Sequence, residues 1–296
     1  MTIQSKPDAF RRPMIVHGAT LNCKGRLVDL TTPRVMGIIN ATPDSFFDGG
    51  RYNRVDAALF QTEQMLKAGV TFLDIGGMST RPGAKAISES EELQRVLPII
   101  EGIALKFPDA LLSLDTYRSR VAAEGIAAGV CLINDISGGQ FDPALWQVVQ
   151  SAHIPYILMH TRGMPDSMQQ NTEYPDGMLE TVLDYFIHRM GTLKEAGLVD
   201  VVLDPGFGFG KSLRANYQLL NGLSNFQFLE KPIMVGISRK SMVYKVSGGS
   251  PDAALFGSTA LHLVALQQGA RILRVHDVGA AMDVIKVWQM LESCKR

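Results

Sequence analysis

Eight short apolar runs, each ending in polar or glycine-rich residues and each followed by an amphipathic stretch or a connecting segment, predict an α/β fold, a TIM-type (β/α)8 barrel. The runs are VMGIIN (35–40), TFLDIGG (71–77), LLSLDT (111–116), CLINDI (131–136), YILMH (156–160), VVLDPG (201–206), IMVGIS (233–238) and ILRVHD (272–277). They are rich in Val, Ile and Leu and nearly continuous in apolar character, as suits parallel strands covered on both faces. The 296 residues are enough for such a barrel, which takes roughly 250. A doubly wound open sheet is the structural alternative.

Between the runs lie the helices. Val55–Lys67 sets Ala58, Phe60, Met65 and Leu66 among polar residues, and Glu89–Lys106 interleaves Leu93, Val96, Leu97 and Ile100 with charges. Leu179–Ala196, Asp252–Gln268 and Ala280–Ser293 repeat the pattern, so each predicts a helix with one apolar face. Gly69, Gly129, Gly197 and Gly269 follow helical stretches, where a left-handed C-terminal cap is expected. Residues 1–34 precede the first strand. Their apolar pieces, Met14–Val16 and Leu27–Leu30, predict a short N-terminal hairpin extension closing the barrel bottom, with 35–296 forming the barrel itself. No linker, low-complexity tract or repeat divides the chain further.

Lys and Arg number 29 and Asp and Glu number 29, so the net charge is zero. That balance removes any global attraction to nucleic acid or an anionic membrane. The three cysteines, Cys23, Cys131 and Cys294, are scattered and read as reduced thiols. The N-terminus lacks the apolar core of a signal peptide, and no uncharged apolar run approaches the roughly 20 residues that span a bilayer. A cytoplasmic protein is expected.

A TIM-type barrel builds its site at the C-terminal ends of its strands. Asn40, Asp115, Asn134, His160, Asp204, Ser238 and His276 occupy those ends on seven different strands. Any one alone could cap the following helix, but seven in one ring point to a site. Two loops add cations: Met78–Gly83 (MSTRPG) and Ser238–Ser241 (SRKS). Arg274 and His276 stand two residues apart, hence on one strand face. Arg81, Lys240, Arg274 and His276 can therefore meet over one mouth and hold a phosphate-rich group. The competing reading makes Arg274 a rim salt bridge and His276 a hydrogen-bonded core histidine. PGFGFGKS (205–212) looks like a nucleotide phosphate loop, but that pattern needs glycine where Pro205 stands. Isolated histidines argue against a tightly held zinc, whereas Mg2+ bridged to phosphate needs few protein ligands.

MGIINATPDSFFDGG (36–50) closely resembles the first signature of the dihydropteroate synthases, and DIGGMSTRPGA (74–84) resembles the second. The likeness continues through SLDTYRSRVA, INDISGG, ILMHTRGMP, LDPGFGFGK, VGISRKSM and RVHDV, from residue 35 to about 278. The resemblance implies an enzyme that joins a dihydropterin pyrophosphate to 4-aminobenzoate. It implies that Asp115, Asn134, Asp204 and Lys240 bind the pterin ring. Asn40, Thr80, Arg81, Arg274 and His276 would serve the pyrophosphate, with Asn40 also touching Mg2+. Phe46, Pro82 and Ser241 would surround the aminobenzoate, and Arg81 and Lys240 would act in catalysis. It further implies a homodimer, sensitivity to sulfonamides, and closure of the loops at 41–50 and 76–86 to exclude water.

Two positions depart from the family pattern. Met78 stands where Glu is common, removing a charge beside the second loop, and Phe47 stands where a small Ser is common, beside the aminobenzoate position. A pterin-dependent methyltransferase domain is the nearest competing enzyme, but it has no use for Thr80-Arg81-Pro82 or for the Arg274/His276 pair. A non-catalytic pterin-binding paralogue has only Met78 in its favour.

Overall fold

The computed structural model describes residues 20–41, 51–78, 87–163, 168 and 172–295, the side chains of 51–53 excepted. β1 (Thr20–Cys23) and β2 (Arg26–Asp29) form an antiparallel hairpin. Its two-residue turn, Lys24-Gly25, has φ of +51 and +84, the doubly left-handed geometry that matches strand twist. Asn22 supports the turn by accepting the Gly25 amide at 2.7 Å.

Eight parallel strands follow: β3 (Arg34–Asn40), β4 (Phe72–Gly76), β5 (Leu111–Asp115), β6 (Leu132–Asp135), β7 (Tyr156–Met159), β8 (Val201–Asp204), β9 (Met234–Val235) and β10 (Ile272–Val275). They pair in the order β8-β7-β6-β5-β4-β3-β10-β9. A parallel bridge between Leu203 and Ile233 joins the two ends of the sheet, closing the barrel that the eight apolar runs predict. The seventh run is the exception in length, since only Met234 and Val235 join the ladder.

The helices are α1 (Arg51–Lys67), α2 (Glu89–Lys106), α3 (Ser119–Ala127), α4 (Leu145–Ala152), α5 (Met178–Glu195), α6 (Leu213–Asn221), α7 (Ser241–Ser247), α8 (Leu255–Gln267) and α9 (Val278–Ser293). The five sequence-predicted helices are present. The stretch from Asp252 is shortened, because Pro251–Ala253 form a separate 3-10 turn before α8. Helices α3, α4, α6 and α7 replace what reads in sequence as connecting segment; at seven to nine residues each, they are too short for a clear apolar period. Gly69, Gly129, Gly197 and Gly269 all have positive φ, as the capping expectation requires.

Strand alternation sorts the side chains. Val35, Leu73, Leu112, Ile133, Leu158, Leu203, Val235 and Leu273 belong to the large apolar core shared with the helices. Met36, Phe72, Leu132, Ile157, Val202, Met234 and Ile272 form a second cluster together with Leu21, Cys23, Val28 and Leu30 of the hairpin segment. This second cluster lies at the first inward position of each strand, so the hairpin packs on the barrel's foot. Each of its large, fully buried side chains contributes about 1.5–3 kcal/mol. Two residues further along, five of the eight inward positions are polar: Asp74, Ser113, Asn134, Asp204 and Arg274. The dry foot thus carries a charged floor. No helix among the described residues is long and apolar enough to cross a membrane.

Candidate active site

The floor is a single hydrogen-bonded array. Asp74 is fully buried and accepts three bonds: from Ser113 Oγ at 2.5 Å, from Asn134 Nδ2 at 3.0 Å and from Arg274 Nε at 2.6 Å. Arg274 also donates through a terminal nitrogen to Asp115 Oδ2 at 2.7 Å. The other side of the Asn134 amide is different. Its Oδ1 is buried and accepts from no described group. A buried carbonyl oxygen is normally paired, so this one stands ready for a donor that a ligand would bring.

Asp204, at the end of β8, accepts the Gly206 amide at 2.8 Å. Burial holds its carboxyl above the usual range, against the pull of the neighbouring Lys240. Burial does the same to Asp115; Arg274 opposes the rise and the Asp74 carboxylate adds to it. Lys240 moves the other way, lowered by burial to about 8 although Asp204 favours its charged form. The floor therefore offers a ring several acceptors and one cationic donor.

Two loops aim Lys240 inward. Arg239 adopts a left-handed backbone, φ +57, and turns outward, donating to both Asp277 oxygens at 3.0 and 2.7 Å. Its amide is held by Ser258 Oγ at 3.2 Å. Lys240, the next residue, donates to the Phe207 carbonyl and lies 4.5 Å from the centroid of the Phe209 ring. Those acceptors belong to the segment that resembles a phosphate loop in sequence. Here it is instead a compact turn after β8, with positive φ at Gly206, Gly208 and Gly210. Lys211 fastens it from within, donating to the carbonyls of Gly206 at 2.9 Å and Phe209 at 3.0 Å and contacting His160 Nδ1 at 2.9 Å. His160, one of the seven strand-end polar residues, is thus buried in the scaffold behind the floor. A Cβ on Gly206 would run into the His160 carbonyl oxygen, and φ there is +71. Gly206→Ala is therefore expected to cost about 2–3 kcal/mol of stability. A thermal midpoint within one degree of the parent would contradict this account of the turn.

The mouth is formed by the last residues of the strands. Asn40 ends β3 and is half-buried. His276 Nδ1 lies 3.1 Å from Ser238 Oγ, and Ser238 Oγ also accepts the His276 amide at 3.2 Å, which ties β10 to the SRKS segment. Ser241 is exposed at the first position of α7, directly after Lys240. Met78 is half-buried beyond β4. Around the second loop, Arg95 donates to the Gly77 carbonyl at 3.0 Å, while Arg118, paired with buried Glu92 at 2.6 Å, donates to the Ile87 carbonyl at 2.5 Å. Phe46, Phe47, Thr80, Arg81 and Pro82 lie outside the described residues.

The Arg274 guanidinium is engaged on the floor by Asp74 and Asp115, as the salt-bridge reading has it, with 20% of the side chain exposed, and its charge is near enough to Lys240 to disfavour that ammonium. The cause is its place two residues below His276, level with the carboxylates. Asp74 is the residue that strand-end reasoning misses. The available signal was alternation, because Phe72, Asp74 and Gly76 share the inward face and an uncompensated aspartate between two apolar residues must find a partner.

Fold and site together define a class: a barrel enzyme whose charged floor can take a planar ring rich in N–H donors and whose mouth can take an anion. Comparison with known proteins narrows this. Residues 36–276 match the family model described as pterin binding enzyme. The chain is 44% identical to the dihydropteroate synthase of Haemophilus influenzae over 91% of its own length and 98% of the relative's. It superposes on a Yersinia pestis dihydropteroate synthase in complex with a sulfonamide drug with a TM-score of 0.86 and 43% identity, covering 93% of this chain and all of that one. A Xanthomonas albilineans dihydropteroate synthase with 4-aminobenzoic acid gives the same TM-score at 40% identity, covering 93% and 98%. The chain belongs to the pterin-binding enzyme family, among its dihydropteroate synthases.

Proposed function

We propose that this chain is a transferase that condenses 6-hydroxymethyl-7,8-dihydropterin pyrophosphate with 4-aminobenzoate, releasing pyrophosphate and forming 7,8-dihydropteroate. The floor of Asp115, Asn134, Asp204 and Lys240 carries this reading. An aminopyrimidine edge presents adjacent N–H donors, which the two carboxylates and the unpartnered Asn134 oxygen accept, while Lys240 donates to the ring carbonyl. The family relationship and the 4-aminobenzoate and sulfonamide complexes of its relatives support the same substrates and the same inhibitor class.

The remaining roles are those the family resemblance implies. Asn40, Thr80, Arg81, Arg274 and His276 receive the pyrophosphate, and Phe46, Pro82 and Ser241 surround the aminobenzoate. In the reaction the methylene C–O bond breaks, and its electron pair leaves with pyrophosphate. The arylamine nitrogen attacks the methylene carbon and then gives up a proton. Lys240 and Arg81 act in this step by holding charge in place, since an arylamine needs little activation. Asn40 offers one neutral oxygen donor, and no group of three His, Cys, Asp or Glu suited to a metal occurs among the described residues. That donor set fits Mg2+ held chiefly by substrate oxygens, with Asn40 as its protein ligand. When bound, Mg2+ would neutralise the charge gathering on the leaving pyrophosphate.

The site predicts a bell-shaped pH dependence of kcat/KM for the pterin substrate. Asp115 and Asp204 must be ionised to accept N–H donors, so activity is lost as pH falls through their raised values, above the ordinary carboxylate range of about 4. Lys240 must be protonated, so activity is lost as pH rises through about 8. In the residual activity of Lys240→Ala the alkaline limb should disappear; a limb that stays in place belongs to another group.

Residues 1–34 we read as the extension that closes the barrel bottom, supported by the packing of the 20–29 hairpin on the foot cluster. A homodimer is supported by the family relationship and by the exposed apolar side chains of Phe256 on α8 and Val287 and Met290 on α9. A monomer mass in equilibrium sedimentation would overturn it. The three free thiols support a reducing, cytoplasmic setting.

A further inference from the structure

We infer that Asp74 is a positioning residue that sets the polarity of the pterin pocket by fixing which end of the Asn134 amide faces the ligand. The inference rests on the ring-binding role proposed above for Asn134.

Asn134 can present either an oxygen acceptor or an NH2 donor to the barrel interior, because the two ends of the amide have nearly the same shape. Asp74 removes the ambiguity. Its Oδ2 lies 3.0 Å from Asn134 Nδ2, and turning the amide over would set two oxygens against each other. Asp74 cannot turn away to relieve that clash. Ser113 holds its Oδ1 at 2.5 Å and Arg274 holds its Oδ2 at 2.6 Å, and the residue has no exposed surface. The consequence appears on the other end of the amide, where Oδ1 is buried and without a partner among the described residues. The pocket is thereby committed to a ring edge that donates. The same carboxylate fixes the Arg274 guanidinium through Nε, so one residue sets both the acceptor and the cation beside it. Asp74 itself need not touch the ring.

The test is a double-mutant cycle read by calorimetric binding of a 2-amino-4-oxodihydropterin, with thermal unfolding of each free protein alongside. Asn134→Ala should weaken binding about tenfold or more, the range for loss of a buried hydrogen bond. Asp74→Ala should weaken it by a similar factor in the parent but by no more than about threefold in the Asn134→Ala background, because the two act through one contact. Asp74→Asn should recover most of the affinity, since its carboxamide oxygen can still accept from Asn134 and Arg274 while its NH2 donates to Ser113. A full, additive Asp74→Ala loss in the Asn134→Ala background would overturn the inference and leave Asp74 a support of the fold. No effect of Asn134→Ala would sink the ring-binding reading instead, and the inference with it.

Should Asp74→Ala not fold, the side-chain amide of Asn134 can be followed in the parent by 1H–15N NMR, assigned by its loss in Asn134→Ala. The expected result is one slowly exchanging NH2 pair that stays hydrogen-bonded with and without pterin. Release of that pair on pterin binding would show the amide donating to the ligand and would contradict the proposal.

Discussion

Lys240→Ala is expected to lower kcat/KM for the pterin substrate by about 100-fold or more, equivalent to about 2.7 kcal/mol of transition-state stabilisation. The ammonium group is placed by a device spread over four elements. Arg239 is clamped outward on Asp277, and the Phe207 carbonyl and Phe209 ring receive Lys240 on the other side, facing Asp204. Removing it leaves the Asp204 carboxylate without its main compensating charge and the ring carbonyl without a donor. Lys240→Arg should restore little, because a planar fork cannot occupy the space of a compact ammonium against Phe209. Turnover at saturating substrate within about tenfold of the parent, a loss of only about 1.4 kcal/mol, would show that the role assigned to Lys240 is wrong.

Arg274→Leu should produce the largest loss of stability, about 3–5 kcal/mol, as expected when one partner of a buried ion pair is removed. Asp74 and Asp115 would share the floor with no guanidinium between them. The pH dependence identifies the cause. Asp115 already lies above its ordinary value in the folded state, and losing Arg274 raises it further. Where the folded variant binds a proton that the unfolded chain does not, the charge cost is relieved, so the stability deficit is full only above the raised value. It shrinks as pH falls through the raised value. Denaturant unfolding at pH 5 and pH 8 measures the difference. An equal deficit at both pH values would assign the effect to lost packing, and Arg274→Leu/Asp115→Asn should recover part of the stability if the charge account is right.

Much of this was legible in the sequence because the barrel repeats one physical pattern eight times. VVLD or LLSLD reads as a buried parallel strand ending in a carboxylate, and both proved to be β8 and β5 with Asp204 and Asp115 at their ends. The foot-to-floor gradient was present too, in the alternation of Ile272 with Arg274 and of Phe72 with Asp74. What could not be read was pairing. Nothing local says that Arg274 reaches across to Asp74 and Asp115, 200 and 159 residues away in the chain. The same holds for Lys211, which belongs to a glycine-rich segment that imitates an anion-binding loop, yet spends its donors on the carbonyls of Gly206 and Phe209 and on His160. The short helices α3, α4, α6 and α7 escaped for another reason: fewer than three turns do not establish a 3.6-residue period. His160 and Asn134 read alike as strand-end polar residues, and only packing separates a scaffold histidine from an amide with a vacant acceptor.

The most direct test of the whole account is pyrophosphate release from 6-hydroxymethyl-7,8-dihydropterin pyrophosphate with Mg2+, measured with and without 4-aminobenzoate while dihydropteroate is followed in the same sample. The account predicts release matched one for one by dihydropteroate, and both lost when either aminobenzoate or Mg2+ is omitted. Tight pterin binding with neither product would contradict it, leaving a non-catalytic pterin binder and making Met78→Glu the first reversion to try.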